Sequence, residues 1–149
     1  MSGRLTRRVL ELLDAAAARL LPRSRERASH LVTGSRGEEE VYFFLRQRGY
    51  VMVARNWRSP RSRSEIDLIG WEGDTLCFVE VKTRTSHDVK PAEAAVDRDK
   101  QDDLRRVAHE YLRRVPGQPS VRFDIASVYY GPESVAPSIT LFRNAFPLT

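Results

Sequence analysis

Residues 64–84, SEIDLIGWEGDTLCFVEVKTR, constrain the fold more than any other part of the chain. Their apolar runs predict buried β-strands over residues 65–71 and 75–83. Burying a charge costs several kcal/mol unless it is paired or bound to a metal, so the charges in these strands must meet one another or face a cleft. The charged residues that interrupt the two runs are Glu65, Asp67, Glu80 and Lys82.

The connection between the two predicted strands fixes how their charges face each other. Side chains alternate along a strand, so Glu65 and Asp67 share one face, and Glu80 and Lys82 share one face. Gly73-Asp74 is a recognised two-residue hairpin turn. That turn predicts a register in which Asp67 lies opposite Glu80 and Glu65 lies opposite Lys82.

Two opposed carboxylates predict a cation between them. Opposed Cβ atoms lie about 5 Å apart, and carboxylates at that distance repel each other strongly. A hard divalent ion with oxygen ligands relieves the repulsion, and a lysine beside it stabilises charge on a phosphate. The alternative is a cross-strand ion pair between Glu65 and Lys82, with Asp67 exposed on a polar face.

The remaining pattern predicts an α/β fold in which helices flank a mixed sheet. We expect a basic N-terminal helix and linker over residues 1–32 and a second domain over 33–149. Apolar spacing predicts the first helix over residues 4–21, and the polar stretch PRSRERASH is typical of a linker. A capping box at residues 35–38 predicts the start of the next helix, which Gly49 ends. The other predicted elements are strands at residues 50–57, 121–130 and 138–142 and a helix within 91–114.

Composition and charge distribution narrow the class of protein. The chain has 149 residues, 41% of them hydrophobic, which is typical of a globular domain. No apolar run approaches the length of a bilayer span and no signal-peptide pattern opens the chain, so we expect a cytoplasmic protein without a membrane partner. The net charge of +5 lies within the first 36 residues. Such an arm binds phosphates or acidic surfaces, or is a solvated helix. Cys77 lies in an apolar run and is expected in the core.

Asp67 followed by Glu80-Val-Lys82 resembles the PD-(D/E)xK signature of nucleases. Further motifs occur in order along the chain: Gly34-x-x-Gly37-Glu38, Gly49-Tyr50, Arg55-Asn56, Phe78 to Arg84, Lys100, Arg122-Phe-Asp124 and Asn144-Ala-Phe146. This ordered set resembles the YraN family, whose restriction-endonuclease-like fold is similar to that of Holliday-junction resolvases. Two departures concern loops: Ser64 stands where glycine commonly precedes Glu65, and SHDVKP lacks the usual Phe-Gly pair.

The resemblance implies a catalytic site that uses Mg²⁺ or Mn²⁺. It assigns Glu38, Asp67 and Glu80 as metal ligands and Lys82 as the catalytic lysine. Glu38 has an alternative role in the capping box. Lys100 is a further catalytic candidate, or a lysine that lays its stem on the core with its charge in water.

The function expected from the resemblance is metal-dependent hydrolysis of phosphodiester bonds in DNA, including branched or repair intermediates. We expect the DNA to be recognised by its shape and backbone, and a homodimer is a further expectation. Four arginines beside the predicted site could bind phosphates, with Trp57 packing or stacking among them. Two other classes stay open: a non-catalytic nucleic-acid-binding module, and a scaffold whose N-terminal helix binds a protein. The arginines are Arg55, Arg58, Arg61 and Arg63.

Overall fold

The computed structural model describes residues 25–85, 96–132 and 136–149, with side chains from residue 32 onward. Two helices and five strands make up the described fold. They are α1 (Arg25–Gln47), β1 (Val51–Arg58), β2 (Glu65–Glu72), β3 (Thr75–Arg84), α2 (Arg98–Leu112), β4 (Ser120–Tyr129) and β5 (Ser138–Phe146).

The five strands form one mixed sheet in chain order. Neighbouring strands are antiparallel except β3 and β4, which run parallel. Parallel strands need a crossover connection, and α2 lies in the segment between β3 and β4. The predicted architecture, a mixed central sheet flanked by helices, is therefore confirmed, and it is consistent with a nuclease-like fold.

Each face of the sheet carries its own hydrophobic core. The core on the α2 side is built around Phe78 and Leu104 and contains eleven buried residues. The core on the α1 side is built around Val41 and Val79 and contains eight. Cys77 is buried in the second core, as predicted. Because both faces are covered, β2 and β3 are buried over most of their length.

Helix α1 begins ten residues before the predicted capping box. It starts at Arg25 rather than at Ser35, so the predicted cap and the polar linker at residues 25–30 are wrong. Arg, Glu and Ala are strong helix formers, and the stretch contains no glycine or proline before Gly34. The polar composition of residues 25–30 was therefore not sufficient evidence for a linker. The helix predicted over residues 4–21 lies outside the described residues, and the domain division at residue 33 stays a prediction.

The end of α1 and its contact with β3 follow from two glycines. Gly49 adopts φ +88 directly after the helix, a conformation that glycine reaches without strain, and it ends α1 as predicted. Gly37 lies against Thr83 so closely that an added Cβ would stand 1.9 Å from the Thr83 hydroxyl oxygen. This contact holds the middle of α1 over the end of β3, where the predicted site residues lie.

Candidate active site

The β2–β3 hairpin has the predicted register from Leu68 to Glu72, and the predicted pairs of Asp67 with Glu80 and of Glu65 with Lys82 lie beyond the paired positions. Gly73 adopts φ +56, the value expected at the first position of a two-residue turn. Glu72 pairs with Thr75 and the pairing runs to Leu68 with Val79. At the next position the Asp67 carboxylate accepts a hydrogen bond from the Val81 backbone N–H at 2.7 Å. The Asp67 side chain thus satisfies the Val81 N–H just beyond the last backbone pair between β2 and β3.

Strict alternation fails in β2 and in β1 at the same point. Ile66 and Ile69 lie in the same core although they are three residues apart, and Leu68 lies in the other core. On β1, Ala54 and Trp57 show the same three-residue spacing against the α2-side core. The register of β1 shifts between Met52 and Ala54, and a residue of positive φ lies between Ala54 and Trp57, where it turns the chain.

That residue is Asn56, which occupies the position across from Asp67. The pairs Arg55–Leu68 and Trp57–Ile66 flank this position on both sides. Asn56 has φ +46, and asparagine tolerates this conformation better than most residues. Its side-chain Nδ2 donates a hydrogen bond to Glu38 Oε2 at 2.9 Å.

Glu80 is a buried carboxylate held by two lysines. Its residue exposure is 6%. Oε1 lies 3.1 Å from Lys82 Nζ and 3.5 Å from Lys100 Nζ. Oε2 is also buried and has no hydrogen-bond partner among the residues that the structure describes. A buried oxygen without a donor is rare and costly, so this atom marks a place where a cation or another donor fits.

Asp67 shares this environment. It is 8% exposed, and burial raises the pKa of its carboxyl to about 8, with further increases from the charges of Glu80 and Glu38. The hydrogen bond from Val81 and the charge of Lys100 act in the opposite direction. Burial and the neighbouring carboxylates therefore favour the protonated form of Asp67, which relieves the repulsion between two adjacent negative charges.

Glu38 reaches the site from α1. Burial raises the pKa of its carboxyl, the Asn56 hydrogen bond lowers it, and the charges of Glu65 and Glu80 raise it further. Because α1 begins at Arg25, Glu38 has no helix-start role to perform. Within the described residues, no group of three or more His, Cys, Asp or Glu side chains is placed to hold a metal ion. Glu38 thus stands near the two buried carboxylates, bonded to Asn56.

The alternative of a plain polar face is wrong. Glu65 accepts a hydrogen bond from Arg58 Nε at 2.6 Å, whereas Lys82 pairs with Glu80. Asp67 is buried rather than exposed. Lys100, at the start of α2, directs its ammonium to Glu80 rather than away from the site.

The four arginines predicted to bind phosphates differ in their surroundings. Arg55 lies over the Tyr42 ring at 5.1 Å and Arg58 pairs with Glu65. The other two, Arg61 and Arg63, are exposed in the loop between β1 and β2.

Three further residues of the predicted set, Trp57, Arg122 and Asp124, make packing or ion-pair contacts within the fold. Trp57 packs edge-on against Tyr111 with ring centroids 5.2 Å apart. Buried Asp124 accepts two hydrogen bonds from Arg122, at 2.7 and 2.9 Å. Arg122 and Asp124 thus form an ion pair within β4.

The comparisons with known proteins decide the family. The sequence profile described as "Uncharacterised protein family UPF0102" matches residues 37–128. The chain belongs to this family. The resemblance to the YraN family is thereby confirmed. The matched span contains every residue of the candidate site, from Glu38 to Lys100.

Relatives named as UPF0102 proteins cover nearly the whole chain. One from Koribacter versatilis is 51% identical over 144 residues, 97% of this chain and 96% of the relative. One from Solibacter usitatus is 44% identical over 139 residues, 93% of this chain and all of the relative. One from Caldicellulosiruptor saccharolyticus is 38% identical over 76% of this chain and 95% of the relative. In the described part of this chain, no helix is long and apolar enough to cross a membrane.

The raised pKa of Asp67 predicts a pH-dependent stability of the metal-free protein. The folded carboxyl binds its proton more tightly than the unfolded one, with a pKa of about 8 against 3.8. The stability from this group is therefore fully present below about pH 4 and is lost as the pH rises to about 8, by up to about 1.4 kcal/mol per pH unit. Asp67→Asn keeps an acceptor for Val81 but does not titrate, so we expect a smaller loss between pH 5 and pH 8.

Urea unfolding in EDTA at both pH values measures this difference. Asp74→Asn is the control, since Asp74 is an exposed aspartate in the same hairpin, and it should lose stability as the original protein does. An equal loss in the original protein and in Asp67→Asn would show that Asp67 is ionised throughout.

Proposed function

We propose that this chain is an endonuclease that uses Mg²⁺ or Mn²⁺ to hydrolyse phosphodiester bonds in DNA, including branched or repair intermediates. The observation that carries the proposal is the buried pair Asp67 and Glu80, with a Glu80 oxygen that lacks a donor and a lysine 3.1 Å from the other oxygen. A fold that only needed stability would gain nothing from this arrangement, since a buried carboxylate costs several kcal/mol.

The residues present fit a magnesium-type ion held by Asp67 and Glu80. Mg²⁺ in phosphate-cleaving sites commonly uses one or two protein carboxylates and fills its other positions with waters and substrate phosphate. Two ligands are therefore enough, and the absence of a group of three in the described residues does not conflict with the proposal. When bound, the ion polarises a phosphate oxygen and makes a water molecule more acidic.

The other side chains of the site position the metal ligands and stabilise the charge of the transition state. Lys82 supplies a positive charge beside the scissile phosphate, where negative charge increases in the transition state. Lys100 holds Glu80 Oε1 from the α2 side, at 3.5 Å. Glu38, oriented by Asn56, faces the buried pair as the proposed third acidic residue. Asp67 and Glu80 would hold the ion, and Asp67 would have to be deprotonated to serve as a ligand.

A cleavage assay tests the proposal. Single-stranded, duplex, flap and four-way-junction DNA are incubated with the purified chain in Mg²⁺, Mn²⁺ or EDTA. We expect cleavage of at least one substrate with metal and none in EDTA. Glu80→Gln and Lys82→Ala should lower the rate about 100-fold or more, whereas Asp74→Asn, an exposed change in the same hairpin, should not.

Two results would contradict this account. The first is the absence of metal-dependent cleavage on every substrate. The second is a Lys82→Ala protein that cuts normally but binds DNA poorly, which would make Lys82 a binding residue.

Asn56 gives a second prediction. Asn56→Gly keeps the left-handed backbone and removes the amide that orients Glu38. Residues that orient a metal ligand commonly contribute 10- to 100-fold, so we expect a rate loss of about 10-fold or more, with unchanged DNA binding in EDTA.

Asn144→Gly is the matched control for this change. Asn144 is the other non-glycine residue of positive φ in the described chain, and its backbone N–H, not its amide, contacts Asp124. An equal loss in both variants would show that the effect comes from backbone flexibility rather than from Glu38.

The non-catalytic nucleic-acid-binding module is the second candidate. The hydrogen bond between Glu38 and Asn56 favours it, because it engages one of the three proposed acidic residues without a metal. This candidate predicts DNA binding without metal-dependent cleavage of any substrate, and no Mg²⁺ binding at the β2–β3 hairpin in calorimetry.

A further inference from the structure

The loop between β1 and β2 is docked on the last turns of α2. Ser59, at the start of the loop, is 3% exposed. Its hydroxyl donates a hydrogen bond to the Glu110 carboxylate and accepts one from the Arg61 backbone N–H at 3.0 Å. Together with the contact between Trp57 and Tyr111, these bonds fix the loop against one end of the helix.

This docking brings the loop arginines next to two arginines that follow α2. The Arg114 guanidinium lies 5.5 Å from the centre of the Trp57 ring, and Arg113 directly precedes it. Arg113 and Arg114 are exposed, as are Arg61 and Arg63 of the loop. We call these four arginines the loop–helix surface.

The arginines of the loop–helix surface differ from the arginines within α2 in their ion pairing. Arg105 and Arg106 pair with Asp102 and Asp103 one turn away, at 2.7 and 3.1 Å. Within residues 25–85, 96–132 and 136–149, no member of the loop–helix surface has an ion pair with a carboxylate. Four guanidinium groups are therefore available to an external anion.

The loop half of the loop–helix surface adjoins the candidate active site along the chain. The loop joins the end of β1 to the start of β2, where Trp57 pairs with Ile66 and Arg58 with Glu65, and Asp67 is the next residue along β2. Arg113 and Arg114 follow the end of α2 opposite to Lys100, so this surface extends away from the buried carboxylates.

We propose that the loop–helix surface binds the phosphate backbone of DNA, and that it does so without a metal ion. Guanidinium groups match phosphate oxygens in pairs. A protein partner would need an apolar anchor, but the exposed large hydrophobic residues of the described chain are Val32, Val51 and Val53. Val51 and Val53 lie in the half of β1 remote from the loop, and Val51 is roughly 20 Å along the strand from Arg58.

This inference deepens the proposed function, because it assigns the surface that holds the substrate. Binding in EDTA does not depend on cleavage. Failure of the surface and failure of the catalytic proposal therefore give different results: the first changes the salt dependence of binding, and the second changes the metal dependence of cutting.

The test compares two single-arginine changes on the same segment. Fluorescence anisotropy of a short labelled duplex in EDTA, over about 50 to 200 mM salt, gives the slope of log K against log salt concentration. We expect Arg113→Ala to reduce this slope by about 0.9, the value for one lost phosphate contact. Arg106→Ala removes the same charge from an arginine already paired with Asp103, and it should leave the slope unchanged.

Further variants complete the test. Arg61→Ala and Arg63→Ala should each act as Arg113→Ala does. If Arg113→Ala and Arg106→Ala changed the slope equally, the effect would come from net charge rather than from the loop–helix surface, and the proposal would be overturned. No duplex binding by the original protein at the lowest salt would also overturn it, and would point to an acidic protein as the partner. Glu80→Gln should keep the full slope, whatever its effect on cleavage.

Discussion

The hydrogen bond between the Asp67 carboxylate and the Val81 backbone N–H is the interaction on which the candidate site depends. It places an acidic side chain where the paired backbone of β2 and β3 ends. Glu80, the residue before Val81, is thereby held beside Asp67 in a buried environment. Asn56, a residue of positive φ in β1, donates a hydrogen bond to Glu38 near the same point. Local irregularity in two neighbouring strands thus builds one acidic cluster.

The electrostatics of this cluster resolve the apparent conflict of burying several acids together. Two lysines pair with Glu80, and burial raises the pKa of Asp67, which favours its protonated form. These are the means by which a metal-free protein tolerates such a site. Both are reversible, since a proton can leave and lysine side chains are flexible. The arrangement is thus stable without a divalent ion and has the ligand chemistry to accept one.

The sequence predicted the hairpin well because its signals are local. A Gly-Asp turn between two apolar runs determines the register, and the pairs from Leu68 to Glu72 follow it. The alternation of side chains along a strand predicts which face each residue occupies only where the strand is regular. It could not reveal the left-handed backbone at Asn56, whose signal is the weak preference of asparagine for positive φ. The start of α1 was missed because a polar, helix-forming stretch resembles a linker when it has no apolar stripe.

The tertiary contacts of the site were the least predictable. Nothing in the spacing of Ser59 and Glu110, 51 positions apart, indicates that they meet. The approach of Lys100 to Glu80 depends on the crossover that carries α2 over the sheet. The sequence did not determine whether the Lys100 ammonium points toward the site or into water. These contacts follow from packing of whole elements, which a one-dimensional pattern does not contain.

The central claim is that Asp67 and Glu80 form a cation site whose occupant replaces a proton. Calorimetric titration of Mg²⁺ or Mn²⁺ at pH 7, repeated in two buffers of different ionisation enthalpy, measures binding and proton release together. We predict saturable binding that releases up to about one proton per ion, as expected when a ligand must be deprotonated, and loss of that binding in Glu80→Gln. Absence of binding in the original protein, or binding that Glu80→Gln leaves unchanged, would contradict the claim.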